Sequence, residues 1–324
     1  ETMFQLIYLY FTAPRKDSSA YGAYKSKMET FFQNRSASPE AAFRDTISAT
    51  LVQYDPRHMP FTMEDIAEMD LEKSLQIYND RFADAGDFTF FLVGNFNPDE
   101  VQPMVEQYLG GLPETPREET WQNVAAPYPD GVIEKIVRKG MEPKSLNSIN
   151  YTGSFDWTPE NDYIASSMIR LLRIKLRERI REDLGGTYGV SVSGRFSHYP
   201  VERYRISISF GSDPDRVPEL TQAVYSVIDS LKQFGATEEY LEKVKEMQIR
   251  EYETNLKENR YWLRVLENDY FNQVDPQRTL EFPERVDSLT LEDIRQAAQS
   301  YFHDDRMVRV VLYPEDFELQ SAKN

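Results

Sequence analysis

The 324 residues contain no cysteine, which excludes disulfides and thiolate metal sites. That absence suits a reducing cytosol and an oxidising periplasm equally, so it leaves the compartment open. Histidine is scarce: His58, His198 and His303 are the only three, none has a neighbour at metal-ligand spacing, and each reads as an exposed loop residue. Basic charge is short too. With 37 Lys and Arg against 54 Asp and Glu, the net charge of −17 disfavours nucleic acid, whose phosphates would be repelled, and suits a cationic or neutral partner. Long apolar runs are missing. The longest, "MFQLIYLYF", is about half of the roughly 18 residues that a membrane-crossing helix needs. There is no initiator methionine and no basic leader, so the chain reads as a fragment without its targeting information. What is present, 40% hydrophobic and 13% aromatic residues, can bury a sizeable core. The length suggests two domains of roughly 100–200 residues each.

Periodicity gives the order of elements. Helical apolar spacing runs over residues 2–12 and 19–33, and Ser38-Pro39 opens a third helix in "SPEAAFRDTISATL". Residues 70–113 read as helix, turn, strand, turn and helix, closing on Gly110-Gly111 and a proline. Residues 112–130, "LPETPREETWQNVAAPYPD", are proline-rich and aperiodic, and read as a linker with a solvated acidic run. Beyond it the pattern predicts strands at 132–138 and 147–155, a helix at 159–183 and a hairpin at 187–211. Helices near 215–234, 238–258, 259–272 and 290–302 follow, and a strand at 307–313 ends the pattern.

The chain also repeats itself. "MDLEKSLQIYNDRFADAGDFTFFLVG" from Met69 aligns without a gap on "LTLEDIRQAAQSYFHDDRMVRVVLYP" from Leu289, pairing Leu71 with Leu291, Phe82 with Phe302 and Leu92 with Leu312. The pairs Tyr21–Tyr240 and Met28–Met247 give almost the same spacing. Two copies of one α+β lobe are therefore expected, each a mixed or antiparallel sheet with helices packed on it, with strands at 88–94 and 307–313 in equivalent places. The division is a first lobe at 1–111, the linker at 112–130 and a second lobe at 131–324. By the same spacing, about 90 residues of the first lobe are expected upstream of Glu1.

The stretch "REDLGGTYGV" joins a helix striped with Ile164, Met168, Leu172, Leu176 and Ile180 to the predicted hairpin. Read from the residues alone, Arg181 is a flank residue of that helix and Tyr188 a cross-strand packer. The longer text "LRERIREDLGGTYGVSVSGRFSHYPVERYRISISFG" resembles the final lobe of the pitrilysin or insulinase-like zinc peptidases. "FTFFLVGNFNPDEVQPMVEQYLGGLP" is similar to the strand–helix–"GLP" ending of other lobes of that family, and "ETMFQLIYLYFTAPRKD" to the third lobe of its long-chain bacterial members.

The resemblance implies a clamshell of two halves, with two α+β lobes each. Zinc and the general base come from an inverted H-x-x-E-H motif in the first lobe of such enzymes. The fourth lobe contributes an arginine and, seven residues later, a tyrosine directed at the substrate backbone. By that resemblance Arg181 and Tyr188 are the candidate catalytic residues, with Gly185 and Gly186 letting the chain turn and approach a peptide. The chemistry suits them. A phenol donor stabilises the oxyanion formed when zinc-bound water attacks a carbonyl, and a guanidinium fork holds substrate carbonyls.

This chain has no H-x-x-E-H. The helix that carries a further zinc-binding glutamate in catalytic lobes corresponds here to "AYGAYKSKMETFFQNRSASP", whose only acid is Glu29. No metal ligands are therefore expected in this chain, and zinc is assigned to the parent protein. The chain is read as the C-terminal half of a zinc metalloendopeptidase, inactive alone, whose partners are the N-terminal zinc-bearing half and peptide substrates, with no nucleic acid and no membrane. The resemblance to long-chain bacterial members favours the periplasm or cell envelope. Alternative readings are a truncated short member of the family, a non-catalytic partner subunit, or a peptide-binding and assembly module of the same fold.

Overall fold

A computed structural model describes residues 1–187 and 189–318. The chain divides into two compact units, neither continuous in sequence. The first comprises residues 1–34, 61–122 and 254–279; the second comprises 35–60, 123–253 and 280–318 of the described chain.

The first unit is helical. It contains α1 (Thr2–Thr12), most of α2 (Ser18–Ala37), α4 (Met63–Ala67), α5 (Leu71–Arg81), α6 (Pro98–Met104) and α10 (Asn259–Phe271). Local chemistry fixes the starts. Thr62 and Asp65 form a reciprocal capping box on α4, and the Asp70 carboxylate accepts from the Lys73 amide to cap α5. Phe11 of α1 packs edge-on against Phe82 at 5.1 Å and Phe88 at 4.8 Å. Residues 88–93 form no β-ladder among the described residues, so the strand expected at 88–94 is not formed. Phe88 has extended torsions, but among the described residues of this unit no strand is formed.

The second unit holds the sheet. Its strands are β1 (Val132–Arg138), β2 (Ser145–Ser154), β3 (Val190–Ser197), β4 (Arg203–Ser212) and β5 (Met307–Tyr313), in the order β1-β5-β2-β4-β3. The pair β1–β5 is parallel and the others are antiparallel. On one face lie α7 (Pro159–Leu176), α8 (Val217–Phe234) and α12 (Leu291–Tyr301), whose Leu172, Leu220, Val224 and Ile294 bury Ile149, Ile206 and Ile208. α9 (Glu238–Asn255) and α11 (Phe282–Ser288) extend this core with Leu241, Val244 and Val286. On the opposite face α3 (Pro39–Leu51) lays Phe43 and Leu51 over Val308, Val310 and Leu312. Ser38 caps α3 by accepting from the Ala41 amide, with Pro39 at the first helical position, as its sequence indicates.

The repeat extends to the helices. α2, α3 and α5 begin at residues 18, 39 and 71, and α9, α10 and α12 begin at 238, 259 and 291, one constant spacing for all three pairs. Segments 35–60 and 254–279, of equal length and in corresponding positions, are exchanged: the first is counted in the sheet-bearing unit and the second in the helical one.

Because Ile208 is fully buried and Ser193 exposed on the other face, the two sides of the sheet should respond differently to truncation. Ile208→Ala is expected to cost about 2–5 kcal/mol in urea unfolding, and Ser193→Ala less than about 0.5 kcal/mol.

Candidate active site at the α7–β3 turn

The apolar stripe of α7 sets the position of everything that follows it. Met168, Leu172 and Leu176 are buried, as is Ile180 one turn on, while Ile164 is half-buried. After Leu176 the helix widens into a π-helical turn, Arg177–Asp183. Such turns shift the following side chains around the helix axis and are frequent at functional positions. The turn keeps Ile180 in the core and leaves Arg181 exposed.

The other charged residues of this turn are engaged. Arg177 lies 3.5 Å from Glu182 and Arg179 3.4 Å from Asp183. Glu178 accepts from the Tyr240 hydroxyl and pairs with Lys243 at 3.3 Å. Partial burial opposes the charge on Glu178, but the Tyr240 hydrogen bond and Lys243 outweigh it and hold its carboxyl below the usual range. The same hydrogen bond, with burial, pushes the Tyr240 hydroxyl up to about 12. Arg181 alone among the charged residues of the turn forms no ion pair with the described residues.

The exit from the turn is closed by backbone and side-chain bonds. The Gly186 amide donates to Ile180 O at 3.1 Å and the Leu184 amide to Arg179 O at 3.3 Å. Gly185 reverses the chain at φ +55°, a conformation that costs other residues energy, and it faces open space. Gly186 is buried: a Cβ there would stand 2.4 Å from Leu220 Cδ2, so this glycine serves the packing of α8. Arg216, which pairs with Glu219 at 2.9 Å, donates through Nη2 to Leu184 O at 3.2 Å.

Beyond the glycines, Thr187 Oγ1 donates to Gly189 O at 2.9 Å and accepts from the Gly189 amide at 3.2 Å. Tyr188, the other candidate catalytic residue, lies outside the described residues. The start of β3 is pinned to α7 by Arg173, whose Nε and Nη2 donate to Val192 O at 3.1 and 2.7 Å. The structure thus joins Arg181, Gly185 and Gly186 in one braced turn. Arg216 and Thr187, which brace it, were not singled out by the sequence. Arg216 comes 32 residues after the carbonyl it holds, and a lone threonine beside glycines carries no periodic signal.

The residues present do not fit a zinc ion. Among the described residues no group of three or more His, Asp or Glu could hold a metal. His58 and His303 are exposed, as their turn-like sequence suggests, and His58 pairs with Asp55 at 3.1 Å. His198 departs from that expectation. It is half-buried and stacked between Trp157, 4.4 Å away, and Tyr199, 4.0 Å away, because the β3–β4 connection folds it onto an aromatic ring distant in sequence.

Comparison with known proteins agrees with this division. Residues 68–248, more than half of the chain, match the family described as the peptidase M16 inactive domain. A curated Arabidopsis thaliana relative, "Zinc protease PQQL-like", is 24% identical over 292 residues, covering 85% of this chain and 30% of its own length. The chain therefore spans about a third of that relative. The structure of the periplasmic protease PqqL from Escherichia coli superposes with a TM-score of 0.84 at 18% identity, over 96% of this chain and 34% of that one. A peptidase M16 inactive domain from Pseudomonas fluorescens superposes with a TM-score of 0.76 at 18% identity, over 96% of this chain and 74% of that one. No helix of the described residues is long and apolar enough to cross a membrane.

The contact at Gly186 makes a specific stability prediction. Gly186→Ala is expected to lose about 1–3 kcal/mol through overpacking, and Leu220→Ala in the same chain should recover part of that loss. Additive losses in the urea unfolding of the double variant would show that the two sites do not touch.

Proposed function

The chain belongs to the peptidase M16 inactive-domain family, and on that premise we propose that it is the substrate-binding, zinc-free half of a metalloendopeptidase that cleaves peptides or unfolded polypeptides. In this reading its lobes, 1–111 and 131–324 with the linker 112–130 between them, close against an N-terminal half that carries the zinc. Zinc, when bound in that half, supplies an activated water and polarises the scissile carbonyl. This chain contributes two donors. Tyr188 donates its phenol proton in a hydrogen bond to the carbonyl oxygen as negative charge grows on it. Arg181 presents a permanently charged fork to a neighbouring substrate carbonyl, and Gly185 and Gly186 let the chain turn between the two donors. The periplasm or cell envelope is the proposed compartment, supported by the periplasmic location of the Escherichia coli protease.

The observation that supports this reading most is the state of Arg181. In a turn where every other charged side chain is paired, Arg181 is exposed and forms no ion pair among the described residues. Leaving one arginine uncommitted on a backbone braced by Arg216, Arg173 and Thr187 is what a positioned donor requires.

In the full enzyme, Tyr188→Phe keeps the ring and removes the hydroxyl. The kcat for peptide hydrolysis is expected to fall about 10²–10³-fold, with KM and thermal unfolding little changed. Arg181→Lys should also lose activity, because a point charge does not reproduce the fork. A Tyr188→Phe enzyme with undiminished kcat would remove the oxyanion role. The chain on its own, after dialysis, is expected to contain no stoichiometric zinc by elemental analysis and to cleave no peptide.

A further inference from the structure

Beyond the apolar contact of Phe43 and Leu51 with β5, the face of the sheet opposite the helices is polar across β2, β4 and β3. Read across β2, β4 and β3 in register, it presents the rows Ser148–Ser209–Ser191, Asn150–Ser207–Ser193, Thr152–Arg205–Arg195 and Ser154–Arg203–Ser197. The upper rows satisfy one another. Ser207 Oγ donates to Asn150 Oδ1 at 2.7 Å, Asn150 Nδ2 to Ser148 Oγ at 3.0 Å, and Ser209 Oγ to Ser148 Oγ at 3.3 Å.

The arginine rows do not. Arg195 and Arg205 stand directly opposite each other on adjacent strands, where like charges repel. Neither has an ion pair or a side-chain hydrogen bond among the described residues. Beside Arg205 the Thr152 hydroxyl is buried without a partner. Arg203 is held in place: its Nη1 donates to Ala126 O at 2.7 Å, and its guanidinium lies 4.4 Å from the centre of the Tyr128 ring. All three arginines line one cavity of about 230 Å³ with Ser48, Tyr128 and Tyr199, and no carboxylate is among its lining residues. In a chain where acids outnumber bases 54 to 37, the cavity shared by these arginines has no acid in its lining, although Arg203 also lines a second cavity that holds Asp130 and Glu202.

We propose that this cavity is an oxyanion site that binds a side-chain carboxylate, Asp or Glu, of the polypeptide substrate. An anion between Arg195 and Arg205 relieves their repulsion, and the planar forks match a carboxylate with paired hydrogen bonds. The choice of a carboxylate over other oxyanions rests on the reading of this chain as a polypeptide-binding half. The placement suits that reading. β3 runs from the end of the braced turn to the cavity, and Arg195 is five residues past Val190, about 17 Å at ~3.3 Å per residue. The site therefore selects acidic residues several positions away from the bond that is cut.

The test is equilibrium binding to the intact protein, which requires no catalysis. Two labelled peptides of one sequence, differing only in Glu against Gln, are compared by fluorescence anisotropy at low and high salt. The Glu peptide is expected to bind at least about tenfold more tightly at low salt, with the preference shrinking as salt rises. Arg195 is exposed on an edge strand, so Arg195→Gln should keep the fold and remove most of the preference, as should Arg205→Gln. Equal binding of the two peptides by the unaltered protein overturns the proposal, as does a preference that survives Arg195→Gln. Inorganic phosphate that binds with the same arginine dependence and displaces both peptides alike reassigns the cavity to free phosphate, which also overturns it. Tyr188→Phe separates the two readings: an unchanged Glu preference beside an undiminished kcat would remove the catalytic role and leave the cavity standing.

Discussion

Everything in the sheet-bearing unit depends on burying β5 on both faces. The last strand of the fold lies between β1 and β2, and six of its seven residues are buried. One side is closed by the helical core around Phe302 and Met307, the other by α3 over Val308, Val310 and Leu312. The two covers come from segments far apart in sequence, α3 on one side and α7, α8 and α12 on the other, so the unit is complete only when residues 35–60 join 123–253 and 280–318. Contacts of such sequence separation carry a closure entropy that the burial of β5 has to offset. Because α3 shields only the β1–β5–β2 side, β4 and β3 are released from apolar alternation on that face, and serine and arginine occupy it.

The parts of the fold legible in the sequence are those governed by local chemistry. Ser38-Pro39 opens α3, the stripe from Ile164 to Ile180 defines α7 and its extension, and the strand expected at 307–313 is β5. α4 and α11, of five and seven residues, are too short to show a period. The apolar run at 88–93 is real, but a strand also needs a partner, which no local pattern supplies. His198 was misplaced for a related reason: its environment is the Trp157 ring, and the text "SHYP" contains no trace of it. The repeat announced two equivalent lobes, yet repetition says nothing about which unit each segment joins. The exchange of 35–60 for 254–279 was therefore invisible until the packing was known.

At the site, the spacing of Arg181, Gly185 and Gly186 was readable, but the physical reason for the second glycine was not. The sequence suggests that both glycines serve a close approach of substrate. In the structure they do different things. Gly185 supplies a left-handed torsion in open space, and Gly186 makes room for Leu220 of α8. The contact with Leu220 fixes the height of the turn above the core, and the left-handed residue fixes its direction. A turn with only the torsion would be free to tilt on the helix end; one with only the contact would continue along the helix.

Charge follows the same logic of fixed position. The surface ion pairs of the π-helical turn, 3.3 to 3.5 Å long and partly exposed, contribute little to stability individually. Their effect is selective: they occupy the carboxylates of Glu178, Glu182 and Asp183, any of which would otherwise be available to pair with the Arg181 guanidinium. At the other end of β3 the protein reaches the same result by exclusion, with no carboxylate lining the cavity beside Arg195, Arg203 and Arg205. In an acidic chain an uncommitted arginine has to be protected from its own neighbours. Two separate structural means do so, paired acids at one end of β3 and absent acids at the other, and each leaves an arginine available for the role proposed for it.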